Sequence, residues 1–135
     1  MKFKDYELPD ELLYNKDFSW VKVLGDVARV GVIEPGAKLV EEFVFVKLPE
    51  EGKRLTKGEV YVSLEALKWS GHLTSPLTGK VVKVNKEVYD KPSLINEDPY
   101  GKGWIMEIEI ENKDELKDLL DAKQVIEWLK EKIRG

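Results

Sequence analysis

Cysteine is absent from this sequence, which removes disulfides, thiolate nucleophiles and thiolate metal sites together. Any thiol or redox chemistry must then come from an attached cofactor. Histidine occurs once, as His72. A zinc site would have to rest on carboxylates and water, and a Ser-His-Asp triad on that single imidazole, so neither a metal centre nor a triad is expected. No apolar run approaches the roughly 20 residues that a membrane-spanning helix needs. The opening residues 1–14 are acidic and contain Pro9, unlike a secretory or transit peptide, so the expected location is cytoplasmic, with no membrane partner. A basic stripe is also lacking: the net charge is −4 and the lysines are interspersed with Asp and Glu, which argues against a nucleic-acid partner.

What is present suits a single soluble domain over residues 1–135, expected to be monomeric. Apolar residues make up 42% and charged residues 36%, enough for a modest core under a heavily solvated surface. Branched and aromatic residues alternate with period two from Trp20 almost to Ile110, with Gly and Pro between the runs. This pattern predicts strands at 20–24, 27–33, 43–48, 59–64, 67–70, 72–74, 80–84 and 104–110, short and closely spaced as in a sandwich or barrel. Helix is expected only at the ends. Pro9 followed by Asp10 and Glu11 reads as the first turn of a short helix. After the sheet, Asn112 can cap a helix with Asp114 and Glu115 in its first turn and Leu116, Leu119 and Leu120 on one face. A second segment, about 122–133, spaces Val125, Ile126, Leu129 and Ile133 as an apolar stripe, read as packing back onto the sheet.

Two stretches look like mirror halves: residues 47–64, KLPEEGKRLTKGEVYVSL, and residues 73–84, LTSPLTGKVVKV. Each places turn residues ahead of an alternating strand. The EALKWSGH between them is short enough for a hairpin connection, which puts Lys68 near an exposed tip. A lysine at a turn is ordinarily just a solvated residue. Glu65 three residues before it, and Ser75-Pro76 with Gly79 before a Val-rich strand, resemble the lipoyl and biotinyl attachment domains, in which the modified lysine protrudes from a hairpin. Lysine suits a swinging arm because its long unbranched stem keeps about 2 kcal/mol of rotamer entropy when exposed. Tyr61, Trp69, His72 and Trp104 can alternatively line a pocket of a binding module or small enzyme, although aromatics alternating on strands belong more often to a core.

The resemblance extends over nearly the whole chain and is to the glycine cleavage H family. PDELLYNKDFSWV from Pro9, GDVARVG from Gly25, FVFVKLPEEGKRLTKGE from Phe43, SPLTGKVVKVN from Ser75 and NEDPYGKGW from Asn96 follow in the family's order. Glu65-Ala66-Leu67-Lys68 stands where the family has Glu-Ser-Val-Lys, whose lysine is lipoylated. The resemblance implies an all-β, lipoyl/biotinyl-type barrel-sandwich hybrid over about 18–110, with a short N-terminal helix and a C-terminal helical segment over about 112–134. It implies a non-enzymatic carrier with lipoate bound covalently to Lys68, and Glu65, with Ala66 and Leu67, forming the turn read by a lipoate ligase or lipoyl transferase. Its implied partners are a pyridoxal-phosphate glycine decarboxylase that loads an aminomethyl group, a folate-dependent aminomethyltransferase that removes it, and dihydrolipoamide dehydrogenase. In the family the loaded arm rests in a surface cleft.

The departures from the family pattern are grouped. Phe18-Ser19-Trp20 replaces His-Glu-Trp, Gly31-Val32-Ile33-Glu34-Pro35-Gly36 replaces Gly-Ile-Thr-Asp-Tyr-Ala, and Glu41 stands for a glycine usual before the third strand. Trp69, Ser70, Gly71 and His72 follow the lysine where small residues are usual. Loss of polar residues at Phe18, Ile33 and Pro35 is expected to weaken the shelter of a loaded arm. The departures admit a second client, since similar lipoate-binding proteins carry sulfur for a heterodisulfide-reductase-like sulfur-oxidising system.

Overall fold

Alternation along the central strands builds two antiparallel sheets that bury their apolar faces against each other in this computed structural model, which describes residues 1–133. In chain order the elements are β1 (Lys2–Phe3), β2 (Tyr6–Glu7), β3 (Leu13–Tyr14), β4 (Ser19–Leu24), β5 (Val27–Val32), α1 (Glu34–Leu39), β6 (Phe43–Lys47), β7 (Arg54–Leu55) and β8 (Val60–Ala66). They continue with β9 (Trp69–Thr74), β10 (Gly79–Val84), α2 (Lys86–Asp90), α3 (Leu94–Glu97), β11 (Met106–Ile110), a 3₁₀ helix (Lys113–Asp118) and α4 (Ala122–Lys132). The larger sheet runs β3-β4-β5-β11-β10-β7, the smaller β6-β8-β9, and β1 pairs with β2 as a separate hairpin. The expected mainly-β sandwich is the architecture found.

The apolar positions point inward from both sheets. Val21, Val30, Val81 and Ile108 of the larger sheet meet Val46, Val62 and Leu64 of the smaller in one buried cluster, each such side chain contributing roughly 1.5–3 kcal/mol by leaving water. Backbones approach closely where β10 meets β11: a Cβ on Gly79 would lie 1.8 Å from the carbonyl oxygen of Glu109, so only glycine fits that register. The two mirrored stretches face one another through β7–β10 and β8–β9 pairing. Their turns are tied by Gly58 N–H donating to Ser75 O at 2.9 Å and Ser75 N–H to Glu59 O at 2.7 Å.

Several expectations need correction. The segment from Pro9 forms a turn and no helix: Leu12 N–H reaches Pro9 O at 3.4 Å, and the Tyr14 hydroxyl donates to the same oxygen at 2.6 Å. Proline followed by acids favours turns as well as helix starts, and burial of both Leu8 and Leu12 bends the chain back before β3. Helix is not confined to the ends, because α1, α2 and α3 interrupt the sheet strands. The strand pieces expected at 67–70 and 72–74 form one strand, β9, which begins only at Trp69, because Leu67 and Lys68 make the turn that reverses the chain. Asn112 does cap the following segment, its side chain accepting from Asp114 N–H, but that segment is a 3₁₀ helix, and Leu120 leaves it to bridge Tyr14. The apolar stripe of α4 packs as expected: Val125, Ile126 and Leu129 join Leu8, Tyr14, Trp20 and Ile33 in a second core. Asp121 and Gln124 close a capping box at its start. The expected helical limit near 134 lies outside the described residues.

Candidate functional site

β8 and β9 pair down to Ala66 opposite Trp69, leaving Leu67 and Lys68 as a two-residue turn. Neither residue has a positive φ, so this is not one of the primed turns that two-residue hairpins favour. Leu67 is 87% exposed, and Lys68 is exposed beside it. Glu65 is exposed on the strand before the turn, in register with Ser70 on one side and Phe45 on the other. Among the described residues it forms no ion pair with Lys68. Alternation explains the separation: Glu65 belongs to the outward row of β8, whereas Lys68 has left the ladder.

Beside this turn lies a cleft that no single stretch of sequence announces. An apolar cavity of about 280 Å³ is lined by Phe18, Val32, Gly36, Leu39, Val40, Phe43, Leu64 and Trp69. A neighbouring cavity of about 370 Å³ is lined by Lys68 and Leu67 together with Glu41 and Glu42, and shares Leu39, Val40 and Trp69 with the first. The attachment candidate therefore opens onto an apolar trough. Val32, Phe43 and Leu64 are buried and form its base, while Leu39 and Trp69 are 51% and 42% exposed on its rim.

α1 supplies much of this wall. Glu34 and Pro35 start the helix, acid and proline in the first turn, and Lys38 sits in the last, an arrangement that suits the helix dipole. The Glu-Pro-Gly run conceals it, because the same residues read as a loop. Asn96 fixes the helix against β6: its Oδ1 accepts from Phe43 N–H at 2.9 Å and its Nδ2 donates to Ala37 O at 2.7 Å. The rest of NEDPYGKGW is also a clasp. Pro99 O accepts from Trp20 Nε1–H at 2.9 Å, and the Tyr100 hydroxyl accepts from Glu34 N–H at 2.9 Å. Asp17 performs a similar task at the other wall, accepting from Ser19 N–H and from both the N–H and hydroxyl of Thr74. Sequence reading missed the roles of Leu39, Asn96 and Asp17. The order-specific Asn96 block was the one available signal.

The grouped departures from the family pattern converge here. Phe18, Val32, Gly36 and Trp69 line the apolar cavity, and Glu41 lines its neighbour. Ile33 and Pro35 do not: both are buried, Ile33 in the second core. Phe18 and Glu41 adopt left-handed backbone, with φ of 74° and 67°. The glycine usual in the family at position 41 thus has a conformational reason.

The pocket reading of the aromatics is divided. Tyr61 is buried, its hydroxyl 2.9 Å from that of Ser19, and burial pushes the phenol well above its ordinary pKa, with Asp17 adding to the shift. His72 is exposed on β9. Trp104 borders a different concavity of about 720 Å³ and carries the Arg29 guanidinium at 4.9 Å and the Lys83 ammonium at 5.7 Å from its ring. That groove mixes Lys86 and Lys102 with Glu51, Glu87 and Asp98 and is not continuous with the Lys68 turn. Among the described residues no group of three or more His, Asp or Glu is arranged to hold a metal ion, and no helix is long and apolar enough to cross a membrane.

The chain as a whole has relatives among known proteins. The family model described as glycine cleavage H-protein matches residues 12–132. The glycine cleavage system H protein of Carboxydothermus hydrogenoformans is 38% identical over 124 residues, covering 92% of this chain and 95% of that protein. That of Staphylococcus epidermidis is 40% identical over 124 residues, covering 92% and 98%. The crystal structure of a glycine cleavage system H protein from Mycobacterium marinum superposes with a TM-score of 0.80 at 28% identity, covering 93% of this chain and 98% of that one. None of these relatives favours the sulfur-carrying alternative. With the match running from Leu12 to the end of α4, the chain belongs to the glycine cleavage H-protein family.

Proposed function

We propose that Nζ of Lys68 is acylated by lipoate and that Glu65, with Ala66 and Leu67, forms the turn by which a lipoate ligase or lipoyl transferase recognises it. Members of this family are non-catalytic lipoyl carriers of the glycine cleavage system, and this chain is such a carrier. The observation that supports Lys68 as the attachment point is its place on an exposed two-residue turn that opens directly onto an apolar trough.

The residues present fit the group. A primary amine on an exposed tip is open to a ligase, and an apolar cleft next to it accommodates an aliphatic acyl chain. When bound, the lipoyl group supplies a dithiolane that takes up the aminomethyl group of glycine and yields it again. The chain's own residues hold, aim and shelter. β8 and β9 form a stiff stalk, with six paired positions from Val60–Thr74 to Ala66–Trp69. The stem of Lys68 keeps its torsional freedom above it, so one rigid body can present one mobile end to several enzymes in turn. Amide formation removes a positive charge from a net charge of −4; at this exposed tip the effect on stability is at most about 1 kcal/mol.

The finer partners are glycine decarboxylase, a folate-dependent aminomethyltransferase and dihydrolipoamide dehydrogenase. The carrier acts in the cytoplasm as a monomer built of one domain over 1–135, its sandwich spanning about 18–110. The test is to express the chain with lipoate and a competent ligase, measure intact mass, and map the modified peptide. Lipoyl mass on the peptide holding Lys68, and support of carboxyl exchange between glycine and labelled bicarbonate by the cognate decarboxylase, are the expected results. Modification elsewhere, or an unmodified chain, overturns the assignment of Lys68.

A further inference from the structure

We propose that the enzyme that acylates Lys68 docks on the free edge of β9, laying an extended segment of its own beside that strand to enlarge the smaller sheet, with a basic side chain of the segment reaching Glu65. The inference rests on Lys68 being the attachment site.

Backbone geometry is the first reason. β9 is the outer strand of the smaller sheet, whose order is β6-β8-β9. Along a strand, alternate residues turn their backbone groups to the same side. Ser75 N–H donates to Glu59 O, on the β8 side, whereas Thr74 N–H donates away from β8 to Asp17. Ser70 and His72 therefore turn their N–H and C=O groups outward with Thr74. Both residues are exposed, and among the described residues neither backbone has a partner on that side. The other outer strands are closed. Tyr14 of β3 exchanges backbone hydrogen bonds with Leu120 at 2.8 Å, and β7 has only two residues. β6 has a register shift between Phe43 and Phe45 and gives the Phe43 N–H to Asn96. β9 runs for six residues, WSGHLT, without proline, lysine or acid. Such devices ordinarily protect an exposed edge, and an edge that lacks them is a template for a strand of another chain.

Position selects the occupant. The open stretch starts at Ser70, two residues after Lys68, so a segment hydrogen-bonded there is held in fixed register with the attachment lysine. An enzyme that must bring one amine to one acyl group needs that alignment, and main-chain bonding places no demand on the side chains of β9. Charge points the same way. Glu65 stands opposite Ser70 and has no ion pair among the described residues. An added strand would lie two strand spacings from β8, about 10 Å. Ser70 between them is small, so an arginine or lysine placed opposite it can lean across to Glu65. Glu41 and Glu42 border the cavity at Lys68, which extends the acidic ground that a basic docking segment fits.

The experiment follows the backbone amides of the full chain. In the Lys68→Arg chain, which takes no acyl group, hydrogen exchange at Ser70 and His72 is expected to slow roughly fivefold or more when a lipoate ligase that acylates the parent chain is added in excess with lipoate and ATP. His72→Pro removes an outward N–H and leaves the pairing to β8 in place, as prolines on edge strands do. It is expected to lower kcat/KM for acylation roughly fivefold to tenfold, through KM. Its Lys68 should still react with acetic anhydride at the parent rate, read by peptide mass, because that reaction needs no docking. Glu65→Gln is expected to raise KM roughly threefold and to lessen its dependence on salt. Unchanged exchange at Ser70 and His72 overturns the inference, as does a folded His72→Pro chain acylated as fast as the parent. Failure of the ligase to place any acyl group on Lys68 of the parent overturns the attachment reading instead.

Discussion

Asn96 Oδ1 accepts a hydrogen bond from Phe43 N–H at 2.9 Å, and so a residue in α3 fixes the strand that forms the base of the cleft. The same side chain donates to Ala37 O at 2.7 Å. Asn96→Ala would leave a buried N–H and a buried carbonyl unpaired, at about 1–3 kcal/mol for each such group. We expect a total loss of about 2–4 kcal/mol by urea denaturation. Asn96→Asp should be intermediate, since a carboxylate still accepts from Phe43 but cannot donate to Ala37.

Glu41 holds φ at 67°, which costs a residue with a Cβ about 1–2 kcal/mol. Glycine relieves that strain and gives back up to about 1 kcal/mol through the greater freedom of the unfolded chain. Glu41→Gly is therefore expected to stabilise the protein by about 0.5–1 kcal/mol, read as a rise in the thermal midpoint. Phe18 shares the conformation at φ 74°, but its ring packs on Trp128 with centroids 5.1 Å apart. Phe18→Gly should destabilise by about 2 kcal/mol or more, because lost packing exceeds relieved strain.

Lys68→Arg should abolish lipoylation, measured by intact mass, because a guanidinium that stays protonated is no acyl acceptor. The side chain is exposed and unpaired among the described residues, so stability should stay within about 0.5 kcal/mol of the parent.

Alkaline pH should destabilise the fold. Burial raises the phenols of Tyr14, Tyr61 and Tyr100 above their ordinary value of 10.0. A group whose native pKa is raised contributes stability that is complete below its unfolded pKa and lost as pH climbs above it, since the unfolded chain then gives up the proton first. Each phenol should contribute a decline of up to about 1.4 kcal/mol per pH unit above pH 10. Denaturation curves at pH 9, 10 and 11 would check this, and Tyr61→Phe should flatten the slope.

The amino-acid sequence by itself determined the class of fold and the position of Lys68. Strand alternation and the short EALKWSGH connection between two mirrored stretches are local properties, and a hairpin near Lys68 follows from them wherever the strands pack, whereas the reduction of its tip to Leu67 and Lys68 is seen only in the folded structure. Local signals failed where two structures share them. Pro9-Asp10-Glu11 begins a turn although it resembles a helix start, and Glu34-Pro35-Gly36 begins α1 although it resembles a loop; in both cases burial of neighbouring leucine, proline and alanine made the choice. Only the tertiary structure decided the cleft. Its walls come from Phe18, Val32, Leu39, Phe43 and Trp69, which no period connects. They meet because Asp17 and Asn96 tie separate segments together across the two sheets, and such long-range hydrogen bonds leave no pattern in a linear chain.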